Sequence, residues 1–375
     1  MHFSRRQFLT SAASAAGLAR GAAVAAAGTA AAAGVVPSAG TAPGAGVVAA
    51  AGTAPRAGAV AAAGTAPGAG VVAAAGTAPG AGVAAAGLAP GASAAPSAAP
   101  SLAVAHYKSP ATAPEAIAEE ARRLTRAAID ALGGMGRFVS KGNAVWVKPN
   151  IGWDRRPEQA ATSNPDVVAA VVELCYQAGA GKVTVGDNPC VSAERSFARS
   201  GIQAAAQKAG ARCFYLDDRK FRRMAIRGRT LKEWEIYTEA VEADRLINLF
   251  IPKQHSLSKA TLGMKNLMGL AGGPRNRFHQ DIASTLADLA AFLHPQLVVM
   301  DAVRVLVANG PTGGNLSDVR RKDTVAAGVD QVAMDACGAA LLGLRPAEIG
   351  YISEAHLRGL GTMDFQALAP ALLEL

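Results

Sequence analysis

The chain has 375 residues, and its first hundred are almost entirely Ala, Gly, Pro, Val, Ser and Thr, so the part able to bury a core begins near residue 105. That length suits one large α/β domain or two small lobes. Arg5, Arg6, Arg20 and Arg56 place four of the nine net positive charges in that first hundred, and the remaining excess is too mild to argue a nucleic-acid partner.

In chain order, Ser4-Arg-Arg-Gln-Phe-Leu-Thr10 and the weakly apolar, Ala-rich run that follows resemble a twin-arginine export signal over residues 1–36. The resemblance implies the twin-arginine translocation machinery as a partner and a periplasmic or other extracytoplasmic location. Ala and Gly bury too little apolar area for a stable membrane span, so cleavage is expected. Export in the folded state would permit a cofactor loaded beforehand. Residues 37–104 read as a disordered Ala/Gly/Pro linker, within which a twelve-residue unit, AGTAPGAGVVAA and its variants, recurs four times from Ala39 to Ala86. Pro and several Gly in each unit rule out sustained helix, and paired Val residues bury too little to offset chain entropy.

The domain assigned to residues 105–375 opens with a helix from Pro114 to Leu132, ended by Gly133-Gly134. A strand at Asn143–Lys148, a helix from Pro165 capped by Asn164, and a strand at Lys182–Gly186 make a β-α-β unit. A helix over Ala193–Ala209 and a strand at Arg212–Leu216 continue the alternation. Arg219–Arg223 with Met224 and Ile226 reads as an exposed strand or hairpin with a solvated basic face. After the strand Arg245–Ile251 come a helix through Ile282–Leu293, strands at Leu297–Met300 and Thr324–Val329, a helix over Gln331–Leu342 and a last helix from Pro346. The fold class expected is α/β, a mainly parallel mixed sheet flanked by helices.

Ligands of such sheets sit beyond the carboxyl ends of the strands, and polar residues fall there repeatedly: Lys148 and Asn150, Asp187, Lys253 and His255, Asp301, and Asp330. The stretch Ile251–His279 concentrates them, with Ser256 or Ser258 expected to cap a helix that carries Leu257, Thr261, Met264, Lys265, Asn266 and Met268. Lys265 is expected to reach the same cleft as Lys253 and His255. Asn309-Gly-Pro-Thr-Gly-Gly314 lacks the ending of a phosphate-binding loop and reads as a turn.

Cys175, Cys190, Cys213 and Cys337 lie far apart with no Cys-x-x-Cys pair. Their spacing argues against a clustered-cysteine iron-sulfur centre and leaves free thiols as the expected state. The cofactor is unknown from sequence. A divalent metal on Asp187, His255, Asp301 or Asp335 is chemically open, but sequence-distant ligands offer no spacing test.

The ordered motifs VKPN, Ser163-Asn-Pro165, VGDNP, IPKQH, TLGMKNLMGL, His279, VMDA, NGPTGG and DQVAMDA resemble the domain-of-unknown-function family 362 over about Val145–Gly361. Many relatives are described as iron-sulfur proteins on account of ferredoxin-like cysteine clusters, which this sequence lacks. The residues matching the family motifs are Lys148, Asn150, Asp187, Lys253, His255, Lys265, Asn266, His279, Asp301, Asn309 and Asp330. His255, Lys265 and Asp301 are the catalytic candidates and the others bind substrate. The reading is an enzyme acting on a small anionic or carbonyl-bearing molecule; the alternatives are a periplasmic binding or carrier protein, or a metal-dependent protein loaded before export.

Overall fold

The computed structural model describes residues 99–375, so the export-signal segment and the repeats lie outside the described residues. Strand β1 (Leu102–His106) precedes helix α1 (Pro114–Ala131), strand β2 (Ala144–Lys148), helix α2 (Pro165–Gln177) and strand β3 (Lys182–Val185). Helices α3 (Ala193–Arg199) and α4 (Ile202–Lys208) lead to β4 (Arg212–Cys213), then to β5 (Phe221–Ala225), β6 (Glu233–Tyr237) and the short α5 (Thr238–Glu242). Strands β7 (Arg245–Phe250), β8 (Lys253–His255) and β9 (Lys259–Thr261) are followed by α6 (Gly263–Asn266) and α7 (Ile282–Leu293). The chain closes with β10 (Leu297–Leu306), β11 (Val319–Gly328), α8 (Gln331–Leu341), α9 (Gly350–Leu357) and β12 (Ala371–Glu374).

The main sheet runs β12-β1-β11-β10-β7-β2-β3-β4, with β8 on β10 and β9 on β8. From β10 to β4 every pairing is parallel, whereas β11 is antiparallel to both β10 and β1. The expected mainly parallel mixed sheet is therefore present. β5 and β6 form a separate antiparallel hairpin that carries the basic residues Arg222 and Arg223.

Side-chain parity divides the interior. Val145, Val147, Ile247, Leu249 and Val299 pack with Leu124 of α1 and Val168 of α2. Trp146, Leu246, Phe250, Val298 and Met300 pack on the opposite face with Leu286 of α7, Val332 of α8 and Ile352 of α9. A period of two with both faces buried produces the near-continuous apolar runs of β7 and β10. α2 begins where expected because the Asn164 side chain accepts from Asp166 N and Pro165 occupies the first turn.

Several boundaries differ. The single helix expected over Ala193–Ala209 is two, broken at Gly201, whose φ of 71° is incompatible with helix. The helix expected from Ser256 is instead the β8–β9 hairpin. Ser258 Oγ donates to Ala260 O at 2.9 Å, Lys259 takes φ 61°, and helix resumes only at Gly263. β10 extends well beyond Met300, and β1 begins just ahead of the boundary set at residue 105.

Candidate functional site

Parity places the first polar groups. Lys148 follows Trp146 on the same face of β2, and Asn248 sits between Leu246 and Phe250 on β7, directly beside Lys148 in the ladder. Both side chains thus enter the α7–α8 face at the carboxyl end of the sheet. Asn266 joins them: its Nδ2 donates to Asn248 Oδ1 at 2.8 Å and to Leu249 O at 3.1 Å. Its Oδ1 accepts from Lys148 Nζ at 2.9 Å and Asn150 Nδ2 at 3.0 Å. The four-residue helix α6 that carries Lys265 and Asn266 is too short to form by itself. Asp335 of α8 fixes its start, with Oδ1 accepting from Gly263 N at 2.6 Å and Oδ2 from Met264 N at 3.0 Å. Burial pushes the Asp335 carboxyl up to about 8, with those two amides pulling the other way.

Lys148 is a closed cation. Its ammonium donates to Pro149 O at 2.6 Å and Asn266 Oδ1, and pairs with Asp187 Oδ1 at 2.9 Å, which accounts for all three protons. Asp187 is equally committed, accepting from Ile151 N at 2.6 Å and Asn188 N at 2.8 Å. Gly269 leaves room for this pair: a Cβ there would stand 1.8 Å from Asp187 Oδ1 and 2.6 Å from Lys148 Cε.

Lys253 and Lys265 are different, since neither has a carboxylate in ion-pair contact among the described residues. Lys253, 1% exposed, donates to Asn150 Oδ1 at 3.0 Å and Ala161 O at 2.5 Å, leaving one proton for the cleft. Burial lowers its pKa to about 7, and the neighbouring Lys148 and Lys265 charges add to the effect. Among the described residues Lys265 Nζ meets only Met268 Sδ at 3.6 Å and His279 Nε2 at 3.3 Å, and burial lowers it to about 8.

The histidines have readable tautomers. Nδ1 of His255 accepts from Leu257 N at 3.1 Å and Ser258 N at 3.4 Å, so its proton is on Nε2. Burial and then the Lys265 charge lower its pKa to about 3, so the ring stays neutral. His279 Nδ1 contacts Asn276 O at 3.2 Å; a carbonyl only accepts, so Nδ1 carries the proton and the Nε2 lone pair faces Lys265. Burial and Lys265 lower the His279 pKa as well. The two rings stack at 6.0 Å between centroids with 27° between planes.

The four charged and two histidine side chains Lys148, Asp187, Lys253, Lys265, His255 and His279 line one cleft of about 340 Å³, within the range of small-molecule sites, with Asn248 and Asp335 behind its wall. Four cations face it, Lys148, Lys253, Lys265 and Arg275, against the single carboxylate of Asp187. Arg275 ties the wall together by donating to Asn188 O and Pro189 O, each at 2.8 Å. The Thr261 hydroxyl, also on the lining, is buried without a hydrogen-bond partner among the described residues. Cys190 lines the same cleft and is exposed, while Cys175, Cys213 and Cys337 are buried; all four thiols are free. Pro311 and Thr312 bring the glycine-rich loop to the cleft.

Of the residues singled out in the sequence, Lys148, Asn150, Asp187, Lys253, His255, Lys265, Asn266 and His279 share the lining of this cleft, and three others fall elsewhere. Asp301 is not at a strand end: β10 continues past it, and it faces the α1–α2 side, accepting from Asn164 N at 2.6 Å and Val303 N at 3.2 Å. Burial raises its pKa to about 6. Asp330 follows β11, whose antiparallel course delivers it to the far end of the sheet, where it caps α8 through Val332 N and Ala333 N. Asn309 bonds Asp318 Oδ2 at 2.9 Å on an exposed loop and is not on the lining. Among the described residues no group of three or more His, Cys, Asp or Glu is placed to hold a metal, so Asp187, His255, Asp301 and Asp335 do not converge on one. Asn248, Thr261, Gly269 and Arg275 were missed. Only Asn248 left a signal, a polar residue at an inward position of the run Leu-Ile-Asn-Leu-Phe.

Comparison with known proteins agrees with the family resemblance. The chain is 32% identical over 249 residues to a thylakoid-associated protein of Synechocystis, covering 63% of this chain and 74% of that one. Among solved structures it resembles the lactate racemase apoprotein of Thermoanaerobacterium thermosaccharolyticum at 11% identity and TM-score 0.41, covering 64% of this chain and 56% of that one. A Thermotoga maritima protein matches at 10% identity and TM-score 0.32, covering 55% and 54%. This chain thus spans little more than half the length of either solved structure. Residues 145–340 match the model of the domain of unknown function DUF362, and the chain belongs to that family.

Proposed function

We propose that the protein is an exported enzyme whose strand-end cleft binds a small anionic substrate and transforms it by acid-base chemistry. The observation that carries this reading is the pair Lys253 and Lys265, two buried cations without carboxylates in a cleft that holds four cations and one acid. An unpaired buried charge costs several kcal/mol, roughly, which an anionic ligand offsets on binding. Lowered toward neutrality, these lysines also exchange protons at working pH, and the neutral His255 offers a fixed N–H to a substrate oxygen.

Acetate, pyruvate and inorganic phosphate, tested by thermal shift, should each raise the melting temperature of the wild type if they fit. Lys265→Met and Lys253→Met should remove that response while leaving the unliganded fold cooperative. Equal stabilisation of wild type and both variants would reject the site. Stabilisation without turnover of any probe, unchanged by His255→Ala, would favour a binding or carrier protein using the same cleft. For export, the support is Arg5-Arg6 with the following Phe-Leu and Ala-rich run. Changing both arginines to Lys should strand the protein in the cytoplasmic fraction, and unaltered fractionation would reject the twin-arginine route.

A further inference from the structure

The two unpaired lysines differ in how their protons are held. Lys253 Nζ donates to two oxygens, at 3.0 and 2.5 Å, and these bonds hold it in place with one proton left for the cleft when it is charged. Lys265 Nζ has no oxygen acceptor among the described residues. Its neighbours are a thioether at 3.6 Å and the lone pair of His279 Nε2 at 3.3 Å, a basic nitrogen that can take its proton. An amine beside a base whose other nitrogen is itself oriented by a carbonyl is the general arrangement of an activated nucleophile. His255, stacked on His279, brings a neutral Nε2–H to the same end of the cleft. The unpartnered Thr261 hydroxyl on the lining lacks an acceptor or donor that a polar ligand would supply.

We propose that Lys265 is an imine-forming nucleophile and that the cleft takes small 2-oxo acids, with the carboxylate on the Lys253 ammonium, the ketone carbon at Lys265 Nζ and the ketone oxygen at His255 Nε2–H. The inference rests on the anion-site reading above and deepens it. The Lys265 lone pair forms the C–N bond as the carbonyl π pair moves to oxygen. One amine proton passes to His279 Nε2 and on to the oxygen, giving a carbinolamine. Loss of that hydroxyl as water, with the second amine proton, leaves the C=N bond, so ketone and amine yield imine and water with no change of oxidation state. Burial that lowers Lys265 to about 8 keeps a usable fraction of neutral amine near neutral pH.

The test is to incubate the full chain with pyruvate and sodium borohydride, which reduces an imine to a stable secondary amine, and to map the adduct by peptide mass. One reduced pyruvate adduct at Lys265, absent from Lys265→Arg, is the expected result. Lys265→Arg keeps the cation, so pyruvate should still raise its melting temperature, which shows that the variant is folded and binding. An adduct at Lys253, or spread over surface lysines, overturns the assignment. Pyruvate-induced stabilisation of the wild type with no adduct overturns the imine while the anion site stands. Neither stabilisation nor adduct overturns both.

Discussion

Two regions of this molecule bury charge, and they treat it in opposite ways. Asp288 on α7 is wholly enclosed, yet its carboxylate accepts from the backbone N–H groups of Arg229, Thr230 and Leu231 at 2.7–2.8 Å and from Arg358 at 2.6 Å. Burial alone would raise its pKa, but those four donors hold it below the ordinary carboxylate value. In the cleft, by contrast, one proton of Lys253 and those of Lys265 meet no oxygen acceptor among the described residues. A completed charge fastens a fold, here tying the loop before β6 to α7 and α9. On the proposed reading, an incomplete one is left for a ligand to complete.

The largest effect that sharpens the comparison is on stability. Asp288→Ala takes the acceptor from the amides of Arg229, Thr230 and Leu231 and leaves Arg358 only the long contacts to Ser284 O and Glu354, and should cost about 3–5 kcal/mol in urea unfolding. Lys265→Met, which removes a charge without strong partners, should change stability by less than about 1 kcal/mol. A reversed order would break the contrast. Asn266→Ala lies between them: it strips acceptors from Lys148 and Asn150 and should cost about 1–3 kcal/mol, read from the same unfolding curves.

Acidity supplies the next test. Between pH 7 and Lys253's ordinary 10.5 the unfolded chain holds a proton that the folded chain has released, so stability should rise with pH across that window. Asp335, raised from 3.8 to about 8, works oppositely: the folded chain keeps a proton that the unfolded chain has lost, so stability should fall as pH climbs from 3.8 to 8. Lys253→Met should flatten the first limb and Asp335→Asn the second, in melting curves recorded against pH; unchanged limbs would sink the assignments. The smallest expected effect concerns Cys190, the exposed thiol of the cleft. Iodoacetamide should modify it before the buried Cys175, Cys213 and Cys337, and pyruvate should slow that reaction. Labelling indifferent to pyruvate would place the ligand elsewhere.

Much of this was legible in the sequence where a local rule suffices. Asn164-Pro165 marks a helix start, alternation marks the strands, and Lys148, Asp187 and Lys253 announce themselves as polar residues where apolar runs stop. What failed needed knowledge of partners far along the chain. Asp301 looked like a strand end because nothing local shows that β10 continues after Met300. Asp330 looked like a cleft residue because the antiparallel sense of β11 is decided by β1 and β10, not by its own residues. The helix expected from Ser256 had the right spacing, but Asp335, some seventy residues on, sets the helix start at Gly263. Thr261 and Gly269 carry no signal until the Lys148–Asp187 pair and the cleft wall are in place.

On the proposed reading, Lys253 and Lys265 are kept unpaired for an anion. Calorimetric titration of pyruvate into wild type, Lys253→Met and Lys265→Met at pH 6.5, chosen at or below about 7 so that both lysines are largely charged, tests it most directly. Saturable one-to-one binding by the wild type and at least about tenfold weaker binding by each variant, with all three proteins folded, is the expected result. Equal affinity across the three would contradict it.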